Sequence, residues 1–153
     1  MKKVQVNFEK MKAQEQGRHQ FRTSYANRNS LLQMRAQMLT GKDKVLMKMY
    51  LEDGKMFGEM ARLAGVNEGT IARRVERLTR RLLRGEYMMC LRGGEELSSF
   101  ERAVAKDYFL EGLSQREIAR KREVTVYQVR KALGLLHALV DREVRRKDDD
   151  EDL

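Results

Sequence analysis

Apolar residues recur along this chain at the spacing of amphipathic helices, and they do so in two segments of the same design. Within residues 44–82 and again within 102–140, apolar positions follow at intervals of three and four, on one face of a helix. The two segments align at an offset of 58 residues without a gap. The matched pairs are Tyr50 with Tyr108, Gly54 with Gly112, Glu59 with Glu117, Ala61 with Ala119, Val66 with Val124, Ile71 with Val129, Val75 with Leu133 and Leu78 with Leu136. Such a register seldom arises by chance, so the sequence predicts an internal repeat.

Capping signals divide the second copy into three predicted helices. At the start of each helix a hydroxyl residue precedes a Glu or Gln by three positions, which is the spacing of a capping box. These pairs are Ser98 with Glu101, Ser114 with Glu117 and Thr125 with Gln128. The predicted helices therefore cover about 98–111, 114–121 and 126–145, and Gly112 ends the first of them.

The helix-capping signals of the first copy are weaker but occur in the same order. Its predicted helices cover about 42–51, about 57–64 and a third segment that Asn67 caps. Gly65 supplies the turn before the third helix, and Glu123 occupies the matching position of the second copy. If that turn needs a positive φ, a glutamate there costs roughly 1 kcal/mol relative to glycine.

The remaining segments complete the predicted organisation. The chain contains no proline, which favours long helices joined by short turns. Together with the repeat, this predicts an all-α fold with two tandem three- to four-helix helix-turn-helix units. A helix over about 25–39 is expected before the first unit, and Gly93–Gly94 is expected to act as a hinge. The predicted divisions are a basic flexible N-terminal arm (1–23), the first unit with its preceding helix (24–84), a linker (85–97), the second unit (98–146) and an acidic disordered tail (147–153).

Small and apolar residues stand at the positions where a helix-turn-helix needs them. The second helix of each copy has an alanine where it would cross the third, and a small side chain there lets the helices approach. A valine follows the turn and is expected to pin it to the core, and an apolar residue five positions later is expected to face inward. In the two copies these residues are Ala61 and Ala119, Val66 and Val124, and Ile71 and Val129.

Two stretches of the chain resemble region 4 of the sigma-70 family of RNA polymerase sigma factors. They are LEGLSQREIARKREVTVYQVRKAL (110–133) and, more loosely, LEDGKMFGEMARLAGVNEGTIARRVERL (51–78). The likeness covers about 42–83 and 98–141, and no counterpart of sigma region 2 is found in the chain. The resemblance implies a three- or four-helix unit whose last helix enters the major groove, and which in that family also binds the flap of RNA polymerase.

The charge of the chain points to a polyanionic partner. The net charge is +9, from 32 Lys and Arg against 23 Asp and Glu, and five of the acids lie in the last six residues. The rest of the chain therefore carries +14, which suits nucleic acid or an anionic membrane surface. The third helix of such a unit presents exposed side chains to base edges, and arginine contacts both guanine and phosphate. The predicted DNA-contacting residues are Thr70, Arg73, Arg74, Arg77, Arg81, Gln115, Arg116, Thr125, Tyr127, Gln128, Arg130 and Lys131.

The sequence supplies no constellation for catalysis, for a metal or for a cofactor. Its two histidines are far apart, and its single cysteine, Cys90, lies in an apolar stretch where a buried thiol is expected. The serines at helix starts are interpreted as caps rather than nucleophiles. No apolar run reaches the roughly 20 residues of a membrane span, no secretory signal is found, and a cytoplasmic location is expected.

These features predict a non-enzymatic transcription regulator that reads double-stranded DNA through the major groove with the third helix of each unit. No membrane partner and no small-molecule substrate are predicted. Two alternatives stay open at this point. One is an adaptor in which a helix-turn-helix unit binds RNA polymerase or another protein, and the other is an RNA-binding module.

Overall fold

The computed structural model describes residues 27–152, which form helices with no strand among them, so the all-α prediction is confirmed for this part. The predicted N-terminal arm (1–23) lies outside the described residues. The elements are α1 (27–36), α2 (Gly41–Leu51), α3 (Phe57–Ala64), α4 (Glu68–Arg84), α5 (Glu86–Gly93), α6 (Ser99–Ala105), a π-helical turn (Lys106–Leu110), α7 (Gln115–Arg122) and α8 (Val126–Glu151).

The 58-residue repeat is also visible in the backbone of the two halves. Helices α3 and α7 begin and end at matching positions, and α4 and α8 begin at matching positions. Gly65 has a φ of 68° and Glu123, its counterpart, has a φ of 56°, so the turn does need a positive φ in both halves. The Val66 amide donates to the Ala61 carbonyl, and the matching Val124 amide donates to the Ala119 carbonyl.

All three capping boxes of the second half form as predicted. The Ser98, Ser114 and Thr125 hydroxyls each accept from the backbone amide three residues on, and that residue's side chain accepts from the cap amide. In the first half the Asn67 side chain accepts from the Gly69 amide, whereas Met56 gives α3 no side-chain cap. Each cap satisfies amides that the first turn of a helix leaves without an intrahelical partner.

Each half has its own apolar core, built from the predicted stripes. The buried stripe of α4 is Ile71, Val75, Leu78 and Leu82, and that of α8 is Val129, Leu133, Leu136 and Val140. The crossing alanines and the apolar residues before them are also buried in both halves. The expectation for Val66 is wrong, because its side chain is 45% exposed and the described residues leave this turn at the surface. The matching Val124 does pack against its core.

Residues of the second half hold the two halves together. Leu110, at the end of the π-helical turn, is buried in the core of the first half rather than in its own. The Arg81 guanidinium of α4 donates to the Leu110 carbonyl at 3.3 Å. The Thr40 hydroxyl donates to a Glu111 carboxylate oxygen at 3.0 Å. The two halves therefore share one packed interface.

The segment that joins the two halves contains the helix α5, which packs along α8. Its buried residue Cys90 belongs to the core of the second half. Gly94 is close-packed rather than hinge-like, because a Cβ there would lie 2.4 Å from the Leu97 side chain and 2.5 Å from the Cys90 carbonyl. The Arg142 guanidinium of α8 also donates to the Gly93 carbonyl at 3.1 Å.

The acidic segment continues helix α8 to Glu151, so the predicted disorder is wrong for 147–151. The sequence after Arg145 contains no glycine or proline that would stop a helix, so α8 continues through this segment although aspartate is a poor helix former. The side chains from Val144 to Asp152 are all exposed. The acids are therefore displayed at the end of a helix of 26 residues, about 39 Å long.

One charged side chain is fully buried within residues 27–152. The Asp107 carboxylate, on the π-helical turn, accepts from the Lys121 ammonium at 2.8 Å and from Arg122 Nε and Nη2 at 2.8 and 3.0 Å. Burial alone would raise the pKa of the Asp107 carboxyl, but the hydrogen bonds from Arg122 and Lys121 outweigh it and hold the pKa below its ordinary value. This cluster fastens the end of α7 to the preceding turn.

Candidate nucleic-acid interface

A stripe of exposed arginines runs along α4 on the side away from the core. Each member stands two positions after a buried residue of the same helix, which places it about 200° around the axis. The members are Arg73, Arg77, Arg80 and Arg84, and they are called the arginine stripe below. Because the opposite face of α4 is fixed by the core, this cationic face is presented outward.

The arginines of α4 differ in how their donors are used. Arg74 pairs with Asp43 of α2 at 2.6 Å, and Arg80 pairs with Glu76 one turn earlier on α4. Within residues 27–152, Arg73 and Arg77 form neither a hydrogen bond nor an ion pair. Of the predicted contact residues on α4, Thr70, Arg73 and Arg77 therefore present unpaired exposed groups, whereas the Arg74 guanidinium already has a partner.

Arg81 lies apart from the arginine stripe, in the interface between the two halves. Its side chain is partly buried and its guanidinium donates to the Leu110 carbonyl. Burial lowers the pKa of the Arg81 guanidinium; the charge of Asp43 opposes this shift and that of Arg77 adds to it. We therefore assign Arg81 to the packing of the two halves, because a group held at this interface is not displayed for a base edge.

The predicted residues of the second half fall into two groups. Tyr127, Arg130 and Lys131 are exposed on the first turns of α8, and the Tyr127 side chain is 71% exposed. Thr125 and Gln128 are also exposed, but their side chains form the capping box of α8. At the start of α7, Arg116 is exposed and Gln115 is partly buried.

The outward faces of α4 and α8 carry different chemistry at matching positions. Where α4 has Arg77 and Arg80, the matching exposed residues of α8 are Leu135 and Ala138. The Leu135 side chain is 49% exposed, so α8 displays an apolar surface where α4 displays charge.

A groove between the two halves was not predicted. Its walls are the C-terminal half of α4 and, opposite, the start of α7 with the middle of α8. His137 of α8 is exposed there, and its ring forms T-shaped pairs with Tyr108 and Phe109 at centroid distances of 5.7 and 5.4 Å. No local pattern could have indicated this groove, because its walls lie far apart in the sequence.

Other chemistry in the described residues is sparse. Residues 27–152 hold no group of three or more His, Cys, Asp or Glu side chains that could bind a metal ion. Burial, with a smaller contribution from Glu86, raises the pKa of the Cys90 thiol to about 11. Among the helices described, none has the length and apolar character needed to cross a bilayer.

The described fold and site define an all-α protein of two packed, repeated halves, one of which displays a cationic helix face. Comparison with known protein families, with curated proteins and with solved structures found no match.

Proposed function

We propose that this protein binds double-stranded DNA through the major groove, with α4 as the principal reading helix, and that it regulates transcription. The observation that carries the proposal is the arginine stripe, presented on the third helix of a three-helix unit directly away from its core. The major groove of B-DNA admits one α-helix, so a helix anchored by one face can offer the other face to the bases.

The residues on the first turns of α4 suit base recognition. Thr70 can donate to or accept from a base edge, and the unpaired guanidinium groups of Arg73 and Arg77 suit the bidentate contact that arginine makes with guanine. The arrangement of α3 and α4 supports the same interpretation. Ala61 is buried where the two helices pack, and Gly65 makes the tight left-handed turn between them.

The resemblance of both halves to sigma-70 region 4 favours a role in transcription over other uses of DNA binding. The second half would contribute through Tyr127, Arg130 and Lys131 on α8 and through Gln115 and Arg116 on α7. Contacts from these residues to the DNA backbone would position the protein, whereas contacts from α4 to the bases would select the sequence.

Selection of bound sites from random duplexes tests the proposal. The test variant is Arg73→Ala with Arg77→Ala, and the matched control is Arg92→Ala with Arg145→Ala, which removes the same charge from exposed positions outside α4. We expect wild type and control to enrich one motif, and the α4 variant to lose it with about tenfold weaker binding or more. Enrichment of the same motif by all three proteins, or of no motif by wild type, would contradict the proposal.

A second candidate function is supported by the apolar face of α8. Leu135 and Ala138 replace arginines of the first half, so this surface suits a protein partner better than phosphate. In this case the second half acts as an adaptor, with RNA polymerase the partner that the family resemblance implies. Binding of purified bacterial RNA polymerase in the absence of DNA, lost in Leu135→Glu, would favour the adaptor function.

Preference for structured RNA over duplex DNA in competition would instead favour the RNA-binding alternative.

A further inference from the structure

The groove between the two halves joins surfaces that belong to different units. It is open, with a volume of about 670 Å³. Arg77, Arg80 and Arg84 of the arginine stripe line one wall, and Ser114 of the α7 cap and His137 of α8 line the other. The groove therefore begins where the reading surface of α4 ends, and it leads to the start of α7, where Arg116 is exposed.

The groove is cationic. Four arginines line it, the three above together with Arg81, against the two carboxylates of Glu86 and Glu117. Glu117 is already engaged in a capping box, where it accepts from the Ser114 amide, and this contact holds the pKa of its carboxyl below the ordinary value. Within the described residues, Arg84, like Arg77, forms no ion pair, so the groove has cationic donors without an internal partner.

We propose that this groove holds the phosphodiester backbone of the same duplex whose major groove α4 enters. The inference rests on the proposed function and extends it, because it assigns the C-terminal half of the arginine stripe to phosphate rather than to bases. Base edges are reached from the first turns of a recognition helix, whereas residues further along it meet the backbone. Arginine suits a phosphate oxygen because its planar guanidinium offers paired donors.

The positions of Arg80 and Arg84 suit a phosphodiester backbone. They lie one helical turn apart, about 6 Å along the same face of α4, and both line the groove. The opposite wall adds the Ser114 hydroxyl and the His137 imidazole, which lie on the second half. Because Leu110 and Arg81 lock the halves together, the two walls hold a fixed separation in the described structure.

The salt dependence of duplex binding tests the α4 wall. We compare wild type, Arg80→Ala with Arg84→Ala, and the control Arg92→Ala with Arg145→Ala on the motif selected by wild type. Loss of two phosphate contacts is expected to reduce the slope of log affinity against log salt by about 1.8, without a change of motif. An unchanged slope and affinity in this variant would overturn the groove assignment while leaving the reading role of α4 intact.

A matched pair of substitutions tests the opposite wall without altering α4. His137→Glu and His137→Gln have side chains of similar size and differ in charge, and His137 is exposed, so both are expected to fold. A carboxylate in the groove is expected to weaken duplex binding about fivefold relative to the glutamine variant. Equal binding of the two variants would show that DNA does not pass through the groove. If wild type binds no duplex at all, the proposed function fails and this inference with it.

Discussion

Replacing Asp107 with asparagine changes the charge of a fully buried side chain while keeping its volume. In the folded protein three hydrogen bonds from Lys121 and Arg122 compensate the burial of this carboxylate. Removing one partner of a buried ion pair typically costs about 3–5 kcal/mol. The cost here is smaller, because the Lys121 and Arg122 side chains are 48% and 33% exposed and can recover water. We expect a loss of about 2–3 kcal/mol in the free energy of unfolding at neutral pH.

The pH dependence of this loss follows from the direction of the pKa shift. The folded-state pKa of Asp107 is lowered, so the ionised carboxylate stabilises the fold above the unfolded-state pKa of about 4. That contribution disappears as the pH falls through the folded-state pKa. The difference in stability between wild type and Asp107→Asn should therefore be largest at neutral pH and shrink progressively in acid below about pH 4.

Urea unfolding followed by far-ultraviolet circular dichroism measures both effects. The control is Glu76→Gln, which removes an exposed ion pair with Arg80 and should change stability by about 0.5 kcal/mol or less. If Asp107→Asn lies within about 0.5 kcal/mol of wild type at neutral pH, the cluster does not stabilise the fold as described. A difference that stays constant into acid would show that the lost stability is not linked to the charge of Asp107.

The first half supplies a design for removing the cluster altogether. At the matching positions it has Met49, which is partly buried against the first core, and the exposed residues Leu63 and Ala64, so no charge is buried at this corner. Asp107→Met combined with Lys121→Leu and Arg122→Ala is expected to recover most of the stability lost in Asp107→Asn, because a buried ion pair and a packed apolar group are often equivalent. Urea unfolding of this triple variant beside the single one measures the recovery.

Two further predictions concern the backbone and the thiol. Glu123→Gly is expected to raise the free energy of unfolding by about 1 kcal/mol, because glycine adopts the positive φ at this turn without strain. A free energy of unfolding equal to or below that of wild type in urea would contradict this prediction. Cys90 is expected to resist a thiol reagent in the native protein at neutral to mildly alkaline pH, because its thiol is buried and its pKa is raised to about 11. In urea-unfolded protein the same thiol is expected to react at once. Rapid labelling of the native protein would place Cys90 at the surface.

The amino-acid sequence by itself determined the features that depend on residues within one or two helical turns of one another. The capping boxes, the buried stripes of α4 and α8 and the left-handed glycine at position 112 all belong to this class. They are set by the spacing of donors, acceptors and apolar groups along a single helix or turn, so a linear pattern contains the necessary information. The repeat strengthened the prediction of the buried stripes, because each residue of the α4 stripe has an apolar counterpart 58 residues away.

Only the tertiary structure decided which exposed groups are available for a partner. Arg74 and Arg81 look equivalent to Arg73 and Arg77 in the sequence, but Asp43 and the Leu110 carbonyl engage the first two. The sequence pattern likewise could not predict the helical α5, the burial of Leu110 in the core of the other half or the groove beside α4. These features depend on contacts between residues tens of positions apart, and packing, rather than periodicity, selects which surfaces meet.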